Sequence, residues 1–153
     1  MEEDFLERLE TIVARYDVPK KYLEVEITES MCLIDYRSLK NCINKIRKAG
    51  FRVSVDDFGT DSSNLALLAM AKFDILKIDK GFVKDIISNK HAQTIVEAMV
   101  NVCEKINIQL IAEGVENELQ LEILKKCGVK TVQGFLFSKP IPVNEYEWKY
   151  LNT

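Results

Sequence analysis

The stretch FRVSVDD, Phe51–Asp57, decides how the rest of the chain is read. Successive side chains of an extended strand point to opposite faces, so Val53 and Val55 share one face while Arg52, Ser54 and Asp56 share the other. One face is apolar, the other polar, and the polar face ends in a carboxylate. A second carboxylate, Asp57, follows at once, and the chain then runs into the polar turn FGTDSSN, Phe58–Asn64. Adjacent acids repel and resist burial, so this pair needs a holder: a metal, a base or solvent.

The same parity recurs on either side. In Tyr22–Thr28, Glu24 and Glu26 stand opposite Leu23 and Val25. In Phe73–Asp79, Lys77 lies opposite Leu76 and Ile78, although Phe73 and Ile75 share its face. Gln109, Ile111 and Glu113 stand opposite Leu110 and Ala112, and Thr131 and Gln133 opposite Val132 and Gly134. Between these strands fall segments of helical period: Glu3–Tyr16 with Pro19 behind it, Tyr36–Lys48 closed by Gly50, Asn64–Ala71, His91–Ile106, and Glu118–Cys127 closed by Gly128. Strand and helix alternate with short connections and no linker, which predicts a single α/β domain over residues 1–153 with a mostly parallel sheet. An open doubly wound sheet needs both faces apolar, whereas a barrel interior can turn polar at its C-terminal mouth. Each strand here ends in a polar residue on one face, which favours a barrel.

Composition narrows the function classes. The chain has 153 residues, 47% of them hydrophobic, enough for a core. A net charge of −3 with interspersed signs gives no basic footprint for DNA and no membrane contact, and no run approaches the length of a membrane span, so a soluble, cytoplasmic protein is expected. The four cysteines, Cys32, Cys42, Cys103 and Cys127, form no CxxC pair and are expected to be reduced packing thiols. His91 is expected to be an exposed polar residue, and Trp148 with Tyr146 and Tyr150 a helix docking face.

The strand-end set is Glu26, Asp56 with Asp57, Lys77 with Asp79, Glu113 and Gln133. Oxygen donors without histidine or thiolate suit a hard divalent cation, and carboxylates from several strands could hold two such ions for phosphoryl hydrolysis. A lysine among them would orient water or offset charge on phosphoryl oxygens.

LEVEITES, VDDFGT, LKID, IAEGVE and VQGFLFSKPIP, in that order and spacing, resemble the EAL-domain family of cyclic di-GMP phosphodiesterases over nearly the whole chain. The resemblance implies a divalent metal site, Mg2+ or Mn2+ in a two-metal arrangement, with Glu26 and Asp56 as ligands and Asp57 completing the second site. It implies that Lys77 positions the attacking water, that Glu113 supports metal binding or water activation, and that Gln133 helps hold the site and substrate. It makes Glu29 the anchor of the loop after the paired aspartates. The implied reaction opens cyclic di-GMP to linear pGpG.

Two departures qualify the resemblance. The tripeptide that names the family, on its first barrel strand, is absent, as is the next strand with its asparagine ligand; Glu97-Ala98-Met99 sits within a helical stretch and is not a substitute. A full barrel takes roughly 200 to 250 residues. The chain is therefore expected to be a partial EAL domain, an incomplete TIM-type (β/α) barrel lacking the first two strands, inactive alone and pairing its exposed edges as a homo-oligomer, with an upstream sensory or GGDEF domain in the parent protein. The second departure is DFGTDSSNL in place of the family's DFGTGYSSL, which puts Asp61 where a glycine would tolerate positive φ and Ser62 where a tyrosine would stand. The alternative is a degenerate module that binds cyclic di-GMP or a partner without cleaving it. A third reading, Lys77 as a Schiff-base nucleophile, requires a neutral amine that the surrounding acids oppose.

Overall fold

Apolar residues three and four apart build the helices, and the computed structural model shows where each one docks; it describes residues 4–28, 36–59, 66–70 and 72–151. Helix α1 (Phe5–Tyr16) turns Leu6, Leu9 and Val13 to the core and stops where Asp17 takes φ 50° ahead of Pro19. A 3-10 turn at Lys20–Tyr22 follows, and Lys20 ties it back to the Glu10 carboxylate and to the Ala49 carbonyl at 2.9 Å. Strand β1 (Glu24–Thr28) precedes helix α2 (Tyr36–Lys48), which buries Leu39, Ile43 and Ile46 and is closed by Gly50 at φ 95°. Then come β2 (Arg52–Phe58), α3 (Ala66–Met70) and β3 (Ile75–Ile78).

Helix α4 (Lys80–Lys84) is one turn and a half that the sequence reading misses, because Gly81 interrupts its pattern. Asp79, read from sequence as part of the strand-end constellation, instead caps this helix, its carboxylate accepting the Gly81 N–H at 2.7 Å. Helix α5 (Lys90–Lys105) is capped by Asn89 and buries Val96, Met99, Val100 and Cys103. After β4 (Gln109–Ala112), α6 (Glu118–Lys126) opens with a reciprocal cap between Asn117 and Gln120. Strand β5 (Thr131–Val132) is followed by α7 (Val143–Tyr146), which runs on as a π-helical stretch over Glu147–Leu151.

The five strands are all parallel and lie in chain order, β1-β2-β3-β4-β5, so among them the winding never reverses as it does in a doubly wound sheet. The core lies between the helices and the face carrying Val53, Val55, Leu76, Ile78, Leu110 and Ala112. The opposite face carries the polar residues the parity predicts. Near the strands' N-terminal ends it holds a hydrogen-bonded row in which Arg52 donates to the Gln109 side-chain oxygen at 2.8 Å and Gln109 donates to the Thr131 hydroxyl at 3.1 Å.

Cys103 and Cys127 are buried free thiols and Cys42 is half-buried; burial pushes all three thiols up, Cys103 to about 11, so none is poised as a thiolate. Cys32 lies outside the described residues. His91 is exposed. Tyr146 packs against Tyr150 in a tilted arrangement with ring centroids 5.1 Å apart, and both, with Trp148, are exposed.

Candidate active site

The C-terminal ends of the strands converge on one ammonium. Lys77 sits in β3, the middle strand, and is only 6% exposed. Its Nζ donates to Glu26 Oε1 at 2.6 Å and lies 2.7 Å from Glu113 Oε1 and 3.6 Å from Asp56 Oδ1. The first of these partners belongs to β1, two strands away. The lysine stem therefore crosses the inner face of β2, where Ser54 is the register partner of Glu26. Burial alone would pull the Lys77 pKa down, but the hydrogen bonds to Glu113 and Glu26 and the charges of Glu113 and Asp56 outweigh it and hold the group above its usual 10.5. A lysine so placed stays protonated, which removes it as a Schiff-base nucleophile.

The paired aspartates are separated by backbone geometry. Pairing between β2 and β3 shifts register between Val55 and Phe58, and Asp57 adopts φ 56° within that irregularity. An extra residue re-aims side chains at a bulge. Asp56 consequently stays on the inner face near Lys77, its Oδ1 accepting the Asp57 N–H at 2.9 Å, while Asp57 is exposed. The repulsion posed by the sequence is thus met first by divergence of the two side chains.

Glu113 stands one residue past β4, its N–H bonded to the Ile78 carbonyl at 3.2 Å. Gln133 follows β5; its backbone N–H and C=O pair with Ala112 and Val115, and its exposed side chain borders a cavity of about 490 Å³ lined by Phe135, Pro140 and Tyr146 rather than meeting Lys77. Glu29 lies outside the described residues, as do Asp61 and Ser62. Of the sequence-derived set, then, Glu26, Asp56, Lys77 and Glu113 are brought together, Asp57 borders them, and Gln133 stands apart.

Sequence reading overlooks Ser54. It is fully buried, and among the described residues its Oγ has no hydrogen-bond partner. Its place on the Asp56 face was legible from parity; its burial follows from its place in β2 between two paired strands, opposite Glu26 on one side and Ile75 on the other.

The donors are hard carboxylate oxygens, the chemistry of a Mg2+, Mn2+ or Ca2+ site, and Glu26, Asp56, Asp57 and Glu113 outnumber the one ammonium among them. Among the described residues, however, no group of three or more His, Cys, Asp or Glu is arranged to hold a metal ion. The residues present supply fitting donors but do not close a ligand set unaided.

A parallel α/β sheet with carboxylates and a buried lysine gathered at strand C-terminal ends defines an enzyme-like site of the kind such sheets carry. The EAL domain model matches residues 1–140, and the chain belongs to the EAL-domain family of cyclic di-GMP phosphodiesterases. It is 42% identical over 129 residues to the cyclic di-GMP phosphodiesterase PdeR of Escherichia coli K12, covering 84% of this chain and 19% of PdeR. Its fold is similar to the crystal structure of the EAL domain of Mycobacterium smegmatis DcpA, with TM-score 0.89 and 35% identity, covering 97% of this chain and 66% of that one. It is also similar to Klebsiella pneumoniae BlrP1, solved with manganese and cyclic di-GMP, with TM-score 0.86 and 31% identity over 91% of this chain and 36% of that one; BlrP1 has been solved with calcium and cyclic di-GMP as well. The chain spans about a fifth of the length of the curated relatives it matches. Among the described residues no helix is long and apolar enough to cross a membrane.

Proposed function

We propose that this chain is the C-terminal part of an EAL phosphodiesterase domain, an incomplete (β/α) barrel, whose residues serve the hydrolysis of cyclic di-GMP to linear pGpG. The observation that carries the reading is the Lys77 ammonium held between the carboxylates of three other strands' ends, at the polar mouth where substrate phosphate would meet it. In the complete domain Glu26, Asp56 and Asp57 would hold divalent cations, Mg2+ or Mn2+, together with oxygen donors from the part of the barrel that precedes this chain. A bound cation would supply charge neutralisation and activation of water.

The chain's own groups divide the remaining work. Water attacks one phosphorus in line, forming a P–O bond as the bond to the 3′-oxygen breaks; the proton lost by water must find a base and the 3′-oxygen must gain one. Lys77, held protonated, cannot take the first proton, so it orients the water and offsets negative charge on the phosphoryl oxygens. Glu113, hydrogen-bonded to that ammonium, is the carboxylate placed to receive the water's proton. Gln133 would help hold the site and substrate, and Glu29 would anchor the loop beyond Asp57. Partners carried by the same reading are an upstream sensory or GGDEF domain and a second copy of the chain.

The departure DFGTDSSNL from the family's DFGTGYSSL favours a second reading, a degenerate module that binds the dinucleotide without cleaving it. One assay separates the two. In the parent protein with Mg2+ or Mn2+, chromatographic detection of pGpG should show turnover that Asp56→Asn abolishes while far-UV circular dichroism is unchanged. Turnover equal in parent and variant would remove Asp56 from the chemistry, and saturable cyclic di-GMP binding with no pGpG in the parent would establish the second reading.

A further inference from the structure

The strands' N-terminal ends carry a separate feature that the phosphodiesterase reading leaves unused. A cleft of about 690 Å³ opens there between α2, α3 and the turn from α5 into β4. Its volume falls in the range of small-molecule sites, roughly 300–1,000 Å³. Asp74 lies at this end of β3 and Lys77 at the other, so the cleft and the carboxylate cluster occupy opposite ends of the same strand.

Three cations line it, Lys40 and Arg47 from α2 and Lys72 from the segment before β3, against one carboxylate, Asp74. That carboxylate is already committed. It receives the Arg47 guanidinium at 2.9 and 3.2 Å and the Val53 N–H at 2.9 Å, which fixes Arg47 and joins the end of α2 to β2. Among the described residues neither Lys40 nor Lys72 lies within 4.0 Å of a carboxylate. Helix α2 is moreover wholly basic among its charged residues, Arg37, Lys40, Lys45, Arg47 and Lys48, in a chain whose net charge is −3. Complementing a helix's negative C-terminal end explains Lys45, Arg47 and Lys48. It does not explain Lys40, in the second turn, or Lys72, on another segment. The rest of the lining joins an apolar wall, Leu68, Ala69, Phe73, Ile106 and Ile108, to two side-chain amides, Asn44 and Asn107.

We infer that this cleft binds a small organic anion, its phosphate- or carboxylate-bearing end between Lys40, Arg47 and Lys72 and its apolar body against Leu68, Phe73 and Ile106. A pre-fixed guanidinium beside two uncommitted ammonium groups suits a doubly charged oxyanion, and the apolar wall selects for a ligand with more than its charge. The site is independent of Glu26, Asp56, Lys77 and Glu113.

The test uses the full chain and phenyl phosphate, followed by heteronuclear NMR. Expected are saturable shifts centred on Lys40, Arg47, Lys72 and Phe73, with a dissociation constant of about 1 mM for so small a ligand. Benzyl alcohol, which keeps the ring without the charge, should bind at least about tenfold more weakly, and the surface double variant K40Q/K72Q should lose about tenfold in affinity while retaining the parent's dispersed spectrum. The inference is overturned if shifts fail to saturate, if they centre on Lys77 and Glu113, if benzyl alcohol binds as well as phenyl phosphate, or if K40Q/K72Q binds like the parent.

Discussion

Replacing Lys77 by methionine removes the ammonium and keeps most of the stem that crosses β2, so the variant isolates the charge. The parent contributes two short charge-assisted hydrogen bonds from a nitrogen that is nearly inaccessible. Removing one member of a fully buried ion pair costs about 3–5 kcal/mol, because the other member is left charged without a partner. Here the partners differ: the Glu26 side chain is 50% exposed and can be rehydrated, whereas Glu113 and Asp56 are 22% and 21% exposed and can be rehydrated less. Solvent screening at Glu26 therefore lowers the expected loss to about 2 kcal/mol. With a urea m-value of about 2 kcal/mol/M this is a fall of about 1 M in midpoint at unchanged slope. Far-UV circular dichroism is the proper probe, since the only tryptophan, Trp148, is 76% exposed and would report little of the core. Adding Glu113→Gln to Lys77→Met should restore part of the loss, because it removes one of the stranded charges. The pH dependence has a definite sign. Lys77 has its folded pKa raised above 10.5, so its contribution is fully present below that value and is lost as pH rises beyond it. The gap between parent and variant should accordingly be constant from neutral pH to about pH 9 and narrow only above 10.5. A variant as stable as the parent at pH 7 would refute the argument that the ammonium holds these carboxylates together.

Other outcomes follow from single contacts. Gly134→Ala should destabilise by about 3 kcal/mol in the same urea titration, since its Cβ would lie 2.1 Å from the Val115 carbonyl oxygen and the backbone on both sides would have to move. Ser54→Ala should leave stability unchanged or raise it by about 1 kcal/mol, because it removes a buried hydroxyl that has no partner among the described residues; a loss above about 1 kcal/mol would mean that the hydroxyl is satisfied in solution. Among the described residues β1 and β5 are the outer strands of the sheet, so sedimentation of the isolated chain should show self-association whose dissociation accompanies unfolding, and a cooperatively folded monomer at low micromolar concentration would contradict this.

Much of this protein is legible in its sequence because period and parity are local properties. Alternation in RVSVDD places Asp56 and Ser54 on one face and the valines on the other before any neighbour is known, and the spacing of Leu39, Ile43 and Ile46 fixes which side of α2 is buried. The strand-end positions of Glu26, Lys77 and Glu113 come from the same rule. What the sequence could not decide is what meets what. That Lys77 reaches over β2 to hydrogen-bond Glu26, in addition to lying within ion-pair range of Asp56 on the adjacent strand, depends on the register of three strands separated by long stretches of chain. The bulge that turns Asp57 outward is set by pairing of β2 with β3, and Asp79 leaves the expected constellation because a glycine-containing turn behind β3 needed a cap. The anion cleft joins Lys40 to Lys72 and Ile106 in the same non-local way. Chain-local patterns assign a side chain to a face; only the tertiary arrangement brings charges from different strands within a few ångström, and at that range the interaction of a shared ammonium with its carboxylates outweighs the cost of burying it.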